Sequence, residues 1–368
     1  MTEPTVVESI TVEPLFVPLR EPFVIASARI DATRAALVTA RLRRGSRVAS
    51  GIGEAAPLHP VTREDWPELE RALGGLRLEG ARIDLEGLTP LLDAALPDAP
   101  VARAGLEAAL LDAYARLEEK PVHALLSPGP YALHLETDVT LPIAEPAHMA
   151  ELARSWSAQG FAVFKVKVGK DLDADVRALR AIAAAVPGAR LRLDANEGYG
   201  ASDALELLRA VDGLGVECFE QPCRRDDLDG MARVTREGGV PIVADESVRT
   251  LEDLEAVLAL DAATGVNLKL VKHGGLLAAL AIGRRARAAG RSLMCGAMVE
   301  TRLGLVAMAQ VVAALGGAEH VDLDTALLLA DDPFDGGWQT EGPRLSLLAE
   351  PGFGVSRREA GRLRGSTS

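Results

Sequence analysis

The chain has 368 residues, 48% of them hydrophobic and 25% charged, a composition with enough apolar side chain for a large core and unlike that of a disordered or fibrous protein. The length exceeds one ordinary small domain and suits a barrel of ~250 residues with an appended module. A formal net charge of −13 repels phosphate backbones and anionic membranes, which argues against nucleic acid and membrane as partners.

The amino terminus, Met1-Thr2-Glu3-Pro4, has neither a basic start nor an unbroken apolar run, so no secretory signal is read there. No apolar stretch approaches the ~18 residues of a membrane helix. Cys218, Cys223 and Cys295 are an odd count without the closely spaced Cys/His pairs of a zinc site, which points to unpaired thiols in a reducing cytoplasm.

Residues 1–125 contain strand-like runs at Ser9 to Val17 and Ala35 to Leu42 and a mostly helical stretch from Arg63 to Glu118, so they predict an α+β module. Across residues 126–338 short β-rich runs alternate with Ala/Leu-rich helical stretches. The runs are His134 to Thr140, Ala162 to Val168, Arg190 to Asp194, Val216 to Glu220, Pro241 to Asp245, Gly265 to Lys269, Ser292 to Gly296, and Val321 to Leu323. Eight such units predict a (β/α)8 TIM-like barrel, although an open doubly wound sheet shares the alternation. Residues 339–368, rich in Gly, Pro and Arg, predict a return strand or loop that completes part of the amino-terminal module, then a frayed tail at Gly365-Ser366-Thr367-Ser368.

In a parallel barrel the reactive groups sit at the carboxyl ends of the strands, so what each run ends with matters most. Runs three, four and five end in Asp194, Glu220 and Asp245, one βα unit apart. Neighbouring strands would therefore present three carboxylates side by side. Their mutual repulsion calls for a hard cation with oxygen ligands, which selects Mg²⁺ over zinc. Lys165 and Lys167, two apart on run two, share one face, and Lys269 ends run six among apolar neighbours. Lys167 and Lys269 then flank the metal ligands from opposite sides. A carbon held between them can lose a proton to one face and regain it on the other, provided that cation and burial lower a lysine pKa from ~10.4 toward ~7 to 8. The six histidines end none of runs two to six and read as satisfied or surface residues.

The Lys-x-Lys, the three carboxylates and the later lysine resemble the enolase superfamily, specifically its muconate-lactonizing subgroup, and the resemblance covers nearly the whole chain. It implies an enzyme in which a lysine base and Mg²⁺ act through an ene-diolate. Gly51-Ile52-Gly53-Glu54 resembles the motif of that family's capping domain. Asp322 and Asp324 resemble the Asp-x-Asp of dipeptide epimerases of the Ala-Glu type and imply a clamp for a substrate ammonium. By the same resemblance Thr140 and Glu300 are substrate contacts, Lys165 binds the developing oxyanion, and Asn196 and Glu246 support the metal ligands.

The function so implied is inversion of the α-carbon beside a dipeptide carboxylate, with the dipeptide as partner and assembly into a homo-oligomer left open. On the same fold the alternatives are o-succinylbenzoate synthase, N-acylamino acid racemase and muconate cycloisomerase, whose substrates lack a free ammonium. A non-catalytic binding protein is the alternative from another class. One departure bears on specificity: aligning Pro22-Phe23 with the capping loop puts Ala28, followed by Arg29, where Ala-Glu enzymes carry an arginine for the glutamyl carboxylate. Lys272 and Arg302 read as solvated charges near the mouth.

Overall fold

The computed structural model describes residues 3–26 and 28–358. Its amino-terminal part is a four-stranded antiparallel sheet, with Arg47–Ala55, Arg29–Arg44, Thr5–Val24 and Arg82–Ile83 side by side in that order. The strand Arg47–Ala55 was not anticipated, because glycines at 51 and 53 depress strand propensity. Packing explains them. A Cβ on Gly51 would lie 2.1 Å from Ala113 N, and one on Gly53 2.2 Å from Gly105 O, so the helix Pro100–Leu117 can press its backbone against this strand only where side chains are missing. The helical stretch expected from Arg63 to Glu118 is three helices, Trp66–Gly74, Leu85–Ala95 and Pro100–Leu117, interrupted by the short strand Arg82–Ile83.

Eight parallel strands follow, each beside the next in chain order: Val139–Leu141, Val163–Lys167, Arg190–Asp194, Val216–Glu220, Ile242–Ala244, Gly265–Leu268, Ser292–Cys295 and His320–Val321. The first and last are drawn together where Asp138 N donates to Val321 O at 3.1 Å and Leu323 N to Thr137 Oγ1 at 2.9 Å, which curls the sheet into the (β/α)8 barrel. Leu191, Leu193, Phe219, Val266 and Leu268 are buried under helices such as Leu172–Ala185 and Leu276–Ala288, as parallel strands covered by helices require.

One expectation changes. The run His134 to Thr140 is two strands, because the chain switches sheets at Thr137-Asp138. Thr137 N donates to Pro343 O, whereas Asp138 N turns to the barrel. His134–Glu136 instead pairs antiparallel with Arg344–Leu347, which forms a hairpin with Trp338–Glu341. Beyond it, Gly352 bridges Pro121 and Phe353 N donates to Asp112 Oδ1 at 2.7 Å, fastening the carboxyl-terminal segment to the amino-terminal helix. The expected tail at Gly365 to Ser368 lies outside the described residues, as do Met1 and Thr2. The three cysteines are free and buried. Among the described residues no helix is long and apolar enough to cross a membrane.

Candidate active site

Strand register sets out the first row of groups. Lys167 pairs with Asp194, and Asp194 with Glu220, so adjacent parallel strands carry an amine and two carboxylates side by side. Lys165 Nζ lies 2.7 Å from Glu220 Oε2, 2.7 Å from Asp322 Oδ2 and 3.1 Å from Asp194 Oδ2. Lys167 Nζ is 2.5 Å from Asp194 Oδ2 and 3.1 Å from Asn196 Oδ1, whose amide nitrogen donates to Glu246 Oε1 at 3.1 Å. Across the mouth, Lys269 Nζ is 2.6 Å from Asp245 Oδ2. All of these groups are buried.

Each of the three expected metal carboxylates is thus turned toward an ammonium. Among the described residues their oxygens do not close around a single point at ion-binding distance. The donor set nevertheless fits a hard divalent cation: three buried carboxylates stand at neighbouring strand ends, and the Lys165 ammonium lies among two of them as the positive charge they require. Glu220 Oε2 faces that ammonium without a well-angled hydrogen bond, so it is an oxygen with coordination to spare.

The charges follow from this crowding. Burial alone would raise Asp194 and Asp245, but Lys167 and Lys165 hold Asp194 below the usual carboxylate range, and Lys269 and Lys272 hold Asp245 well below it. Glu220, more poorly paired, is pushed up to about 7 by burial and by repulsion from Asp194. Lys269 departs from the sequence expectation of a lowered pKa. Burial does lower Lys269 and Lys165, yet Asp245 and Glu220 around the first, and Asp322 and Glu220 around the second, outweigh it and hold both ammonium groups above their usual range.

A small cavity of about 30 Å³ opens on these groups, with Thr140, Lys165, Lys167, Asn196, Lys269 and Asp322 on its barrel side. Phe23, Ile25, Leu58 and Val61 of the amino-terminal part, with Ala297, Met298 and Val299 of the seventh strand end, make the rest of the wall apolar apart from Thr325. A larger hollow of about 580 Å³ lies alongside, bounded by Arg63, Arg103 and Arg249, but it contains none of the strand-end acids. Reactive groups rather than volume identify the smaller cavity as the site.

Several expected residues sit differently from their reading in sequence. Asp322 reaches the cavity, but Asp324, fully buried, turns to accept from Thr140 N at 2.6 Å and leaves Oδ1 without a partner. Both follow the short strand His320–Val321, so strand alternation does not govern where they point. Glu300 is off the cavity wall, with Oε1 accepting from Met298 N at 2.9 Å. Lys272 is not solvated: its side chain is only 6% exposed, with Nζ 2.7 Å from Asp245 Oδ1, Asp245 O and Asn267 O alike, because the helical turn Leu270–His273 swings it back onto the fifth strand. Arg302 points away from the mouth, to Gly336 O at 3.2 Å and over the Trp338 ring. Arg29, paired with Asp31 at 3.3 Å, is exposed, and neither it nor Ala28 lines the cavity.

Two supports were missed. Asn267 Nδ2 donates to Glu220 Oε1 at 2.6 Å, and Gln221 Oε1 accepts from Asp245 N at 2.9 Å. Asn267 was legible, lying two before Lys269 and so on the same strand face.

Comparison with known proteins places this geometry in a family context. Residues 7–127 match the mandelate racemase/muconate lactonizing enzyme N-terminal domain, and residues 148–361 match the enolase C-terminal domain-like family. An aromatic dipeptide epimerase of Herpetosiphon aurantiacus is 37% identical over 96% of this chain and 99% of its own. A dipeptide epimerase of Enterococcus faecalis, solved with Mg and L-Leu-L-Tyr, superposes with a TM-score of 0.89 at 30% identity, over 97% of this chain and 100% of its own. An N-succinyl Arg/Lys racemase of Bacillus cereus superposes equally well, with a TM-score of 0.90 at 27% identity over 97% and 96% of the two chains. Backbone likeness alone therefore does not separate dipeptides from acylated amino acids.

Proposed function

The chain belongs to the mandelate racemase/muconate lactonizing enzyme family of the enolase superfamily, and from that premise we propose that it is a Mg²⁺-dependent dipeptide epimerase. The observation that carries this reading is the opening of Lys167, Lys269 and the buried carboxylate of Asp322 onto one cavity. In this reading residues 1–125, with part of 339–368, cap a barrel formed by 126–338.

Lys167 and Lys269 come from the second and sixth strands and address opposite faces of an α-carbon held between them. One, freed as an amine because Mg²⁺ rather than its own ammonium would balance Asp194, Glu220 and Asp245, takes the α-proton while the C–H electron pair moves into the adjacent carboxylate. The other, as an ammonium, delivers a proton to the opposite face and inverts the centre. Asp194, Glu220 and Asp245 would hold Mg²⁺, which when bound neutralises the substrate carboxylate and stabilises the ene-diolate. Lys165 stands where a developing oxyanion needs a proton donor. Asn196 ties Lys167 to Glu246 and steadies the amine. Asp322 pairs with the substrate ammonium, and Asp324, anchored on the Thr140 amide, adds negative potential behind it. Glu300, off the wall, shapes the seventh strand end rather than touching substrate.

Substrate side chains meet Phe23, Ile25, Leu58, Val61, Met298 and Val299. Burying an apolar side chain there gains about 1.5–3 kcal/mol, whereas a carboxylate would be desolvated without a partner. The substrates are therefore dipeptides with apolar side chains, not Ala-Glu. The test is a library of L,L-dipeptides incubated in deuterated buffer with mass detection of α-deuterium. Apolar dipeptides should exchange fastest, and all exchange should stop on chelation and return with Mg²⁺. Faster exchange of N-succinyl or N-acetyl amino acids would replace this reading with acylamino acid racemisation.

A further inference from the structure

We propose that Glu54, an amino-terminal residue outside the substrate cavity, is a positioning residue that holds the cavity wall at the end of the seventh barrel strand. The carboxylate is buried and reaches across 247 residues of sequence. Both of its oxygens accept from Thr301 N at 3.1 Å, one accepts from Gly304 N at 3.1 Å, and the Thr301 hydroxyl donates to it as well. Thr301 and Gly304 open the helix Arg302–Ala314, whose first N–H groups have no partners within the helix. Arg302 N donates to Asp332 Oδ2 and Leu303 N to Thr301 Oγ1, while Glu54 accepts from Thr301 N and Gly304 N across the domains.

The segment so held carries the wall. Ala297, Met298 and Val299, which line the cavity, are irregular backbone between the strand Ser292–Cys295 and that helix. Locally they are secured by Gly296 N donating to Leu268 O at 2.9 Å and Met298 N to Glu300 Oε1 at 2.9 Å. The clamp continues to the eighth strand end. Glu300 N donates to Thr325 Oγ1 at 3.2 Å, and that hydroxyl donates back to Glu300 O at 3.0 Å. Thr325 lines the cavity beside Asp322 and follows Asp324. Glu54 thus anchors Thr301, Thr301 fixes Glu300, and Glu300 fixes both Met298 and Thr325. The glycines before Glu54 serve the same end, because close packing of Gly51 and Gly53 on the helix Pro100–Leu117 leaves this carboxylate little freedom of place.

An anchored wall contributes to binding equally in ground and transition states, so loosening it raises KM more than it lowers kcat. In a Glu54→Ala variant confirmed as folded by thermal melting, KM for the best apolar dipeptide should rise about tenfold, with kcat within about threefold of the parent. Glu54→Gln keeps one acceptor and should recover most of the loss. Hydrogen exchange read by mass spectrometry should show faster exchange of the amides from Met298 to Gly304. Should Glu54→Ala not fold, Thr301→Val, which removes the hydroxyl donor to Glu54, carries the same comparison. The inference takes its substrate from the dipeptide epimerase reading, but amide exchange does not depend on substrate. If the parent exchanges no dipeptide α-proton, that reading fails while amide protection still decides the clamp. Unchanged protection at Met298 to Gly304, or parental KM in a folded Glu54→Ala enzyme, overturns the assignment.

Discussion

Replacing Asp322 by Asn isolates the contact that separates free dipeptides from acylated substrates. Asp322 is only 6% exposed and already binds an ammonium, that of Lys165 at 2.7 Å, so its carboxylate is desolvated and able to hold a second one. A hydrogen bond to a charged group is worth about 1.5–3 kcal/mol net. At ~1.4 kcal/mol per decade this is roughly 10- to 150-fold in kcat/KM. The substitution also disturbs Lys165, so the variant's absolute rate is ambiguous. A cycle removes the ambiguity: parent and Asp322→Asn are each assayed with a free apolar dipeptide and its N-acetyl derivative, by NMR of α-proton loss in deuterated buffer. Damage through Lys165 is common to both substrates and cancels. The parent should prefer the free dipeptide by about one to two decades, and the variant should treat the two nearly alike. A parent that prefers the acetylated substrate, or a variant that keeps the full preference, refutes the ammonium role of Asp322.

Asp194→Asn, Glu220→Gln and Asp245→Asn should each weaken Mg²⁺ binding in calorimetry and nearly abolish turnover, because a neutral amide replaces an anionic ligand; unaltered binding would remove these residues from the metal site. Replacing Lys167 or Lys269 by Ala should abolish inversion, yet one variant should exchange deuterium into the L,L epimer and the other into the L,D epimer; exchange of the same epimer by both would show that the amines do not flank the carbon. Glu107 offers a test of pH and stability away from the site. Burial, opposed by the Leu277 N–H at 2.8 Å, pushes its carboxyl up to about 7 from an ordinary 4.5. The folded state then binds the extra proton, so this stability is fully present below about pH 4.5 and lost as pH rises through about 7, on the order of 3 kcal/mol. Urea midpoints should fall across that window in the parent and less in Glu107→Gln; equal slopes would count against it.

The sequence by itself determined the barrel and its row of reactive groups, and the reason is periodicity. Parallel strands of one βα unit each put their last residues at one rim, and alternation by two keeps Lys165 with Lys167 and Asn267 with Lys269 on the inner face. Asp194, Glu220 and Asp245 were legible for that reason alone. Tertiary structure decided what no period governs. Asp322 and Asp324 follow a two-residue strand, and their directions depend on Lys165 and on the Thr140 amide, far away in the chain. Lys272 looked like a surface charge until a single helical turn brought it onto Asp245. The apolar wall combines Phe23 and Leu58 with Met298, and Glu54 meets Thr301 across two domains. Strand-end chemistry is local to each repeat and can be read along the chain, whereas the shape of the cavity, and with it the choice of substrate, arises from contacts between segments whose spacing in sequence carries no signal of their meeting.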